Sequence, residues 1–507
     1  MLLRVGSTLF LLLLGCHALA APATPTPTAA LRTLPPDVAA AMDRARMPRE
    51  ALSAVVHELG RSTAPRLSWQ AQAAVNPASL MKLFTTYAAL DLLGPAWTWV
   101  TPVWLQGALP GGGSGGSGVF EGDVVIKGSG DPKLVIERVW LLLRRLQQLG
   151  VREIRGDIVL DRSAFEVPEQ NPADFDGEAL RPYNVRADAL LLNYKALSFT
   201  FTPDPAHGVA LISTEPALEG VRVDVRVPLA AGVGATQCAD WRSALQADFS
   251  DPQRLRFKGL YSSACGEKQW PVAYADAARY NERLLAGLWA EMGGKLTGTV
   301  RDGTAPATAP TFELASPPLA EVVRDINKYS NNVMAQQLFL TLALTQRGLG
   351  TPDGARDVLR GWLATRYGDA GRAAVIDNGS GLSRETRVTA ALLARLLQDA
   401  AASPLMPELM ASLPVSGVDG TLRRTPTLTG RAHLKTGSLR DVTAVAGYVL
   451  APSGRRYVLV GIVNHPNAVA ARPALEALIE WAANDGFSEA PARSAESSAG
   501  NSANPRR

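Results

Sequence analysis

Cysteine and histidine are scarce in this chain, three and five among 507 residues. No His or second Cys stands at ligand spacing, and His57-Glu58 is not followed by the second His of a zinc-peptidase helix. No metal and no cofactor is therefore expected. Dense Lys/Arg runs are missing too, and the formal net charge is only +4. That leaves no electrostatic footprint for a nucleic acid, and no such partner is expected. Past the first twenty residues no stretch has the continuous apolar length of a membrane-spanning helix. Gly293-Gly294-Lys295 lacks the rest of a phosphate loop. What is present is an ordinary globular balance, 47% hydrophobic and 19% charged. A chain this long exceeds one hydrophobic core, so two or three domains are expected.

Residues 1–20 have the layout of an export signal: Arg4 ahead of the apolar run 9–14, then the small-residue pattern Ala18-Leu19-Ala20. Leu13-Leu14-Gly15-Cys16 approaches a lipoprotein cleavage site, so membrane association follows only if Cys16 is lipidated. The expectation is a soluble, periplasmic protein. Removing the signal leaves Cys238 and Cys265, which an oxidising compartment would join. Their bridge closes a loop of roughly 27 residues and contributes about 3 kcal/mol in the loop-entropy picture.

Residues 21–36 are rich in Pro, Ala and Thr and read as a flexible linker, and 487–507 as a disordered tail. The Gly/Ser run 111–118 reads as the tip of a long hairpin. A strand-like stretch from residue 52 leads into a helix over 77–93. Short β runs then dominate to about residue 269, interrupted by a helix near 135–149. Helices dominate afterwards, until two antiparallel strands, 442–450 and 457–464, close the pattern. The fold expected is α/β: an antiparallel sheet flanked by helices, built from residues 37–97 and 270–486. It carries a large β-rich insertion between its two pieces.

Three short runs carry the chemistry. In Asn76-Pro77-Ala78-Ser79-Leu80-Met81-Lys82, Asn76 suits an N-cap and Pro77 a first helical position. Ser79 then lies in the first turn, where free N–H groups favour a developing anion. Lys82, three residues on, shares its helix face, and a neutral amine there can take the Ser proton. In Tyr329-Ser330-Asn331-Asn332, between two apolar helices, Ser330 is placed to relay a proton and the Asn332 amide to bond a peptide carbonyl. In His433-Leu434-Lys435-Thr436-Gly437-Ser438, opening a strand, Lys435 and Thr436 offer a cation and a donor to a carboxylate. Gly437 permits close approach to the strand, and Ser438 offers a backbone N–H to an oxyanion. Each run alone also fits a solvated helix face, a helix connection or a plain strand.

Together, the order Ser-x-x-Lys, Ser-x-Asn, Lys-Thr-Gly resembles the active-site serine penicillin-recognising enzymes. The gap of roughly 250 residues between Lys82 and Ser330 is far longer than in β-lactamases. It makes the chain similar to the class C low-molecular-mass penicillin-binding proteins, the D-alanyl-D-alanine carboxypeptidase/endopeptidase family. Further family-like runs are Gly128-Ser129-Gly130-Asp131-Pro132, Asp377-Asn378-Gly379-Ser380-Gly381-Leu382-Ser383-Arg384 and Asp419-Gly420-Thr421-Leu422. The resemblance spans about residues 50–480. Ser438 stands where Thr is commoner, which leaves the backbone donor intact.

The resemblance implies a transpeptidase-like domain with two nested β-rich domains inserted, 98–190 with 255–269 and 191–254, and a serine DD-peptidase acting on peptidoglycan stem peptides. Ser79 is the implied nucleophile, with Lys82, Ser330, Asn332 and Lys435 catalytic and Thr436, Gly437 and Ser438 binding substrate. β-Lactam antibiotics would be covalent inhibitors. Whether Lys82 or a Lys435–Ser330 relay is the base stays open. A β-lactamase-like hydrolase and a non-catalytic cell-wall-binding protein remain the alternatives.

Overall fold

The computed structural model describes residues 33–60, 64–109, 118–232 and 236–486. The expected export signal with Cys16, the spacer up to residue 32, the glycine–serine tip up to residue 117 and the tail from 487 lie outside the described residues. Among those described, no helix is long and apolar enough to cross a membrane.

The two ends of the described chain meet in one sheet. Leu52–Glu58 pairs antiparallel with Arg456–Asn464 along its whole length. The five strands run in the order Ala432–Leu439, Val442–Leu450, Arg456–Asn464, Leu52–Glu58, Leu67–Trp69. Val442–Leu450 and Arg456–Asn464 are buried at almost every position, so helices must cover both faces. On one face Ala444, Ala446, Tyr448, Val458 and Val460 join a core with Leu338, Leu393 and Leu397. On the other, Val445, Val449, Leu459 and Val463 pack with Val38, Met42, Leu475 and Leu478 of the terminal helices Pro36–Arg44 and Arg472–Ala483. The helix Met81–Leu93 is buried continuously from Met81 to Leu90, as expected for an apolar helix threaded through a core. Ala432–Leu439 is left at the sheet's edge.

The insertion reaches further along the chain than its sequence texture predicts. The reading returns to the first domain at residue 270. In the structure Val300–Asp302 pairs with Ile158–Asp161, and Phe312–Ala315 pairs with Val100–Gly107, completing a five-stranded sheet of the insertion. The helix Tyr280–Glu291 sends Tyr280, Leu284, Leu285, Leu288 and Trp289 into the same core as Val139, Leu142 and Leu146. Helical periodicity identifies a helix but not the core that buries it, and strands of three or four residues leave too little pattern to see. The stretch 191–254 is also not closed on itself. Its four-stranded sheet takes Lys268–Ala273 as an edge strand, and Phe199, Phe201 and Val227 share one apolar core with Val103, Ile126 and Ile158. A disulfide joins Cys238 to the buried Cys265 beside Tyr261 of that core.

Gln337 stitches the insertion to the helical side of the main sheet. Fully buried on the helix Asn332–Arg347, it accepts from Asp188 N–H at 3.0 Å and donates to Asp188 O at 2.9 Å and Gly130 O at 3.2 Å. Replacing it with Leu fills the space but strands these backbone groups. Gln337→Leu should therefore cost about 2–4 kcal/mol, read as a lower urea midpoint. An unchanged midpoint would show that water replaces the side chain without penalty.

Candidate active site

Asn76 fixes where the serine turn begins. Its side-chain oxygen accepts from Ala78 N–H at 2.9 Å, and its amide nitrogen donates to Ser383 O at 2.9 Å. Its backbone exchanges bonds of 2.7 and 2.9 Å with the Asn464 side chain on the last sheet strand. The predicted helix start at Pro77 is not quite what forms. Ala78–Leu80 is a 3₁₀ turn, the α-helix begins at Met81, and Ala78 is left-handed at φ 47°. In a three-residue turn side chains at i and i+3 eclipse, which stacks Lys82 beneath Ser79.

Lys82 is fully buried. Its Nζ lies 3.0 Å from Ser79 Oγ, 2.7 Å from Asn332 Oδ1 and 2.6 Å from Ser380 O. No carboxylate is among these partners. Burial, and then the charge of Lys435, hold its pKa well below the ordinary lysine range. A neutral amine has two N–H donors and one lone pair. The Asn332 and Ser380 oxygens take the two donors, and the lone pair is left for the Ser79 hydroxyl.

Ser330 follows the helix Leu319–Lys328 and sits in the left-handed region at φ 54°. Such strain in a non-glycine residue persists only where the surroundings impose it. Asn331 caps the next helix by accepting from Met334 N–H at 3.1 Å. The Ser330 hydroxyl meets Lys435 Nζ at 2.8 Å. Asn332 turns its oxygen inward to Lys82, which leaves its amide nitrogen for a ligand carbonyl; the residue lines the cavity.

Lys435 lies on the edge strand and is also fully buried. Its Nζ donates to Ser330 Oγ and to Thr436 O at 2.7 Å, and burial pushes its pKa down to about 7. It presents no exposed ammonium to a carboxylate, whereas the sequence reading expected a direct contact. The exposed groups beside it are hydroxyls: Thr436 Oγ1 stands 2.8 Å from Thr421 Oγ1. Gly437 also has a different reason from the one expected. A Cβ there would lie 2.8 Å from Pro77 O and 3.3 Å from Ala78 Cβ, so the absent side chain admits the serine turn itself.

Ser79, Ser330, Asn332 and Ser438 open onto one cavity of about 1040 Å³. Its far wall comes from the insertion through Phe175, Tyr183 and Tyr194. Arg384, a further wall residue, lies over the Phe175 ring at 4.8 Å and pairs with Asp441 at 3.2 Å. The three motifs thus converge, with Thr436 and Gly437 on the strand between Lys435 and Ser438. Ser380 and Thr421 were given no role from sequence, although both lie in runs that had been singled out. Ser380 is held by Asn378, whose side-chain oxygen accepts from the backbone N–H of Ser380 and of Gly381 at 3.0 Å each. The density of turn formers in Asn378-Gly379-Ser380-Gly381 was the available signal.

Comparison with known proteins places this geometry. The model of the D-Ala-D-Ala carboxypeptidase 3 (S13) family matches residues 35–485. The chain is 29% identical over 415 residues to a D-alanyl-D-alanine carboxypeptidase of Actinomadura sp. strain R39, covering 77% of this chain and 73% of that one. It is 24% identical over 399 residues to the D-alanyl-D-alanine carboxypeptidase DacB of Haemophilus influenzae, covering 76% and 80%. The crystal structure of penicillin binding protein 4 from Haemophilus influenzae shares the fold, with a TM-score of 0.68 at 21% identity over 88% of this chain and 99% of that one. The chain belongs to the D-Ala-D-Ala carboxypeptidase 3 (S13) family.

Proposed function

We propose that Ser79 is the nucleophile of a DD-peptidase that cleaves D-alanyl-D-alanine ends and D-alanyl cross-links of peptidoglycan stem peptides. Family membership makes the chain a serine-type D-Ala-D-Ala carboxypeptidase. The observation that carries the residue assignment is the buried Lys82 amine 3.0 Å from Ser79 Oγ, with its other two directions occupied by acceptors.

In this reading Ser79 Oγ attacks the carbonyl of the penultimate D-Ala while its proton passes to Lys82. The N–H groups of Ser79 and Ser438 receive the oxyanion, and the Asn332 amide nitrogen holds the peptide carbonyl. Ser330, backed by Lys435, relays a proton to the leaving amine, and the proton held by Lys82 replaces it, so Lys82 is again a free base when water arrives. Thr436 and Thr421 hydroxyls receive the carboxylate beside that amine, and Lys435 adds its charge from below. Water then releases the acyl group. The insertion shapes the outer wall of the stem-peptide cleft. A β-lactam presents a strained carbonyl and a carboxylate at matching positions, so it acylates the same hydroxyl. Penicillin binding protein 4 from Haemophilus influenzae has been crystallised complexed with a β-lactam. The substrate lies outside the cytoplasmic membrane, and the periplasm is the proposed compartment.

Ser79→Ala should abolish labelling by a fluorescent penicillin and lower the release of D-Ala by about 10³-fold or more. Persistent labelling of Ser79→Ala would falsify the assignment of the nucleophile. A pH profile of kcat/KM tests the two amines. The base form of Lys82 is active, so activity should fall on the acid side as Lys82 takes up a proton. Lys435 is the useful cation and loses its proton at about 7, so activity should also fall as pH rises through that value. A profile that stays flat as pH rises through about 7 would remove Lys435 as the useful cation, and one with no fall on the acid side would remove Lys82 as the base.

A further inference from the structure

Lys328 and Asp419 do not line the cavity, yet each stands two residues before a group that serves it. Lys328 precedes Ser330, and Asp419 precedes Thr421. The two side chains meet in an ion pair of 2.6 Å, with Lys328 6% and Asp419 36% exposed. Burial alone would raise the Asp419 pKa; the Lys328 ammonium and the Val415 N–H outweigh it and hold the carboxyl below its ordinary range. The Val415 N–H bond to Asp419 Oδ1 is 2.8 Å long. The backbones touch as well. Gly420 is left-handed at φ 56°, and a Cβ on it would lie 2.5 Å from Lys328 O.

These contacts close a ring. Two peptide steps lead from Lys328 to Ser330, whose hydroxyl meets Lys435 Nζ at 2.8 Å. One step leads to Thr436, whose hydroxyl meets Thr421 at 2.8 Å. Two steps lead back to Asp419 and its pair with Lys328. Three segments far apart in sequence are held in a closed circuit. Of its three side-chain links, the ion pair is the one that contains no proposed catalytic or substrate-binding group. Cutting it frees the Thr421 turn from the Ser330 turn while leaving every proposed substrate contact chemically intact.

We propose that Lys328 and Asp419 are a positioning pair that ties the Thr421–Thr436 hydroxyls to Ser330 and Lys435, so that recognition of the substrate carboxylate is mechanically joined to proton delivery. This rests on the peptidase reading above. The pair is not catalytic in its own right, since it reaches neither the reacting atoms nor the proposed substrate position. Its loss should weaken discrimination for a carboxylate more than it weakens acylation itself.

The test compares second-order acylation of the full chain by benzylpenicillin and by its carboxyl methyl ester, which lacks the negative charge. In Asp419→Asn and in Lys328→Met, acylation by benzylpenicillin should fall about tenfold while the ester reacts nearly as before, so the ratio of the two constants collapses. A rate constant is independent of how much of a variant folds, so partial misfolding does not mimic this result. Combining Asp419→Asn with Thr421→Ala should add little further loss. Asp91→Asn, which breaks the remote Asp91–Arg366 pair, should leave the ratio unchanged and multiply independently with Thr421→Ala. Equal losses on both reagents, no loss on either, or full multiplicativity of Asp419→Asn with Thr421→Ala would overturn the proposal. An unaltered chain that benzylpenicillin fails to acylate would overturn the peptidase reading, and this proposal with it.

Discussion

The burial of Lys82 without a carboxylate among its hydrogen-bond partners sets the terms for the rest of the site. A charged amine in that position would be short of compensation, and the neutral form is favoured instead. Neutrality alone does not make a base; the lone pair must also point at the proton to be taken. The Asn332 and Ser380 oxygens achieve this by consuming both N–H donors. Lys435 completes the division of labour. Its own pKa is depressed by burial alone, whereas that of Lys82 is depressed by burial and by the Lys435 charge. In the proposed mechanism the free base resides at Lys82 and the positive charge at Lys435, with one hydroxyl, Ser79 or Ser330, against each.

Such an arrangement needs parts that no local segment can provide. The acceptors for Lys82 lie 250 and 298 residues away. Bringing them in requires very close backbone approach. Gly381, left-handed at φ 77°, would place a Cβ 2.0 Å from Ala78 O, and Gly437 would place one 2.8 Å from Pro77 O. Two glycines, Gly381 in a loop and Gly437 on the edge strand, therefore make room for the serine turn. Asn76 and Asn464 lock the same turn to the last sheet strand, which itself pairs with the first. The depressed pKa of Lys82 is thus a property of the assembled core and does not belong to the Ser-x-x-Lys motif.

This explains which parts of the site were legible in the chain. Ser79 and Lys82 could be read because their relation is local, a spacing of three on one helical face. Ser330 and Lys435 could be placed only through the joint order of the motifs, since neither run is distinctive alone. The burial of Lys435 was hidden, because nothing in Lys-Thr-Gly says which way the edge strand faces. The partners Ser380 and Thr421 were hidden for a related reason: one contributes a backbone carbonyl, and the other a common hydroxyl in a turn. At the level of the fold, the antiparallel strands 442–450 and 457–464 stood out through length and apolar continuity. The short strands 300–302 and 312–315 did not, and the boundary near residue 270 was misplaced with them.

The edge strand carries a second consequence. An unpaired sheet edge invites another extended chain, and proteins usually blunt it. Here Ala432–Leu439 pairs with Val442–Leu450 residue for residue on one side; on the other, Pro414 and Ser416 bond its first half through Leu434 N–H and Ala432 O, and the second half borders the cavity through Ser438 and Leu439. In the proposed function, a stem peptide laid along that second half would gain main-chain bonds from a strand already rigid. Lys435, Thr436 and Ser438 lie within four residues on that strand, so in that reading the register of the peptide would also fix its carbonyl between the oxyanion donors and its carboxylate beside the hydroxyls. Binding and chemistry then share a single rigid element, and a slip of one residue along it would flip the pleat and misplace both together.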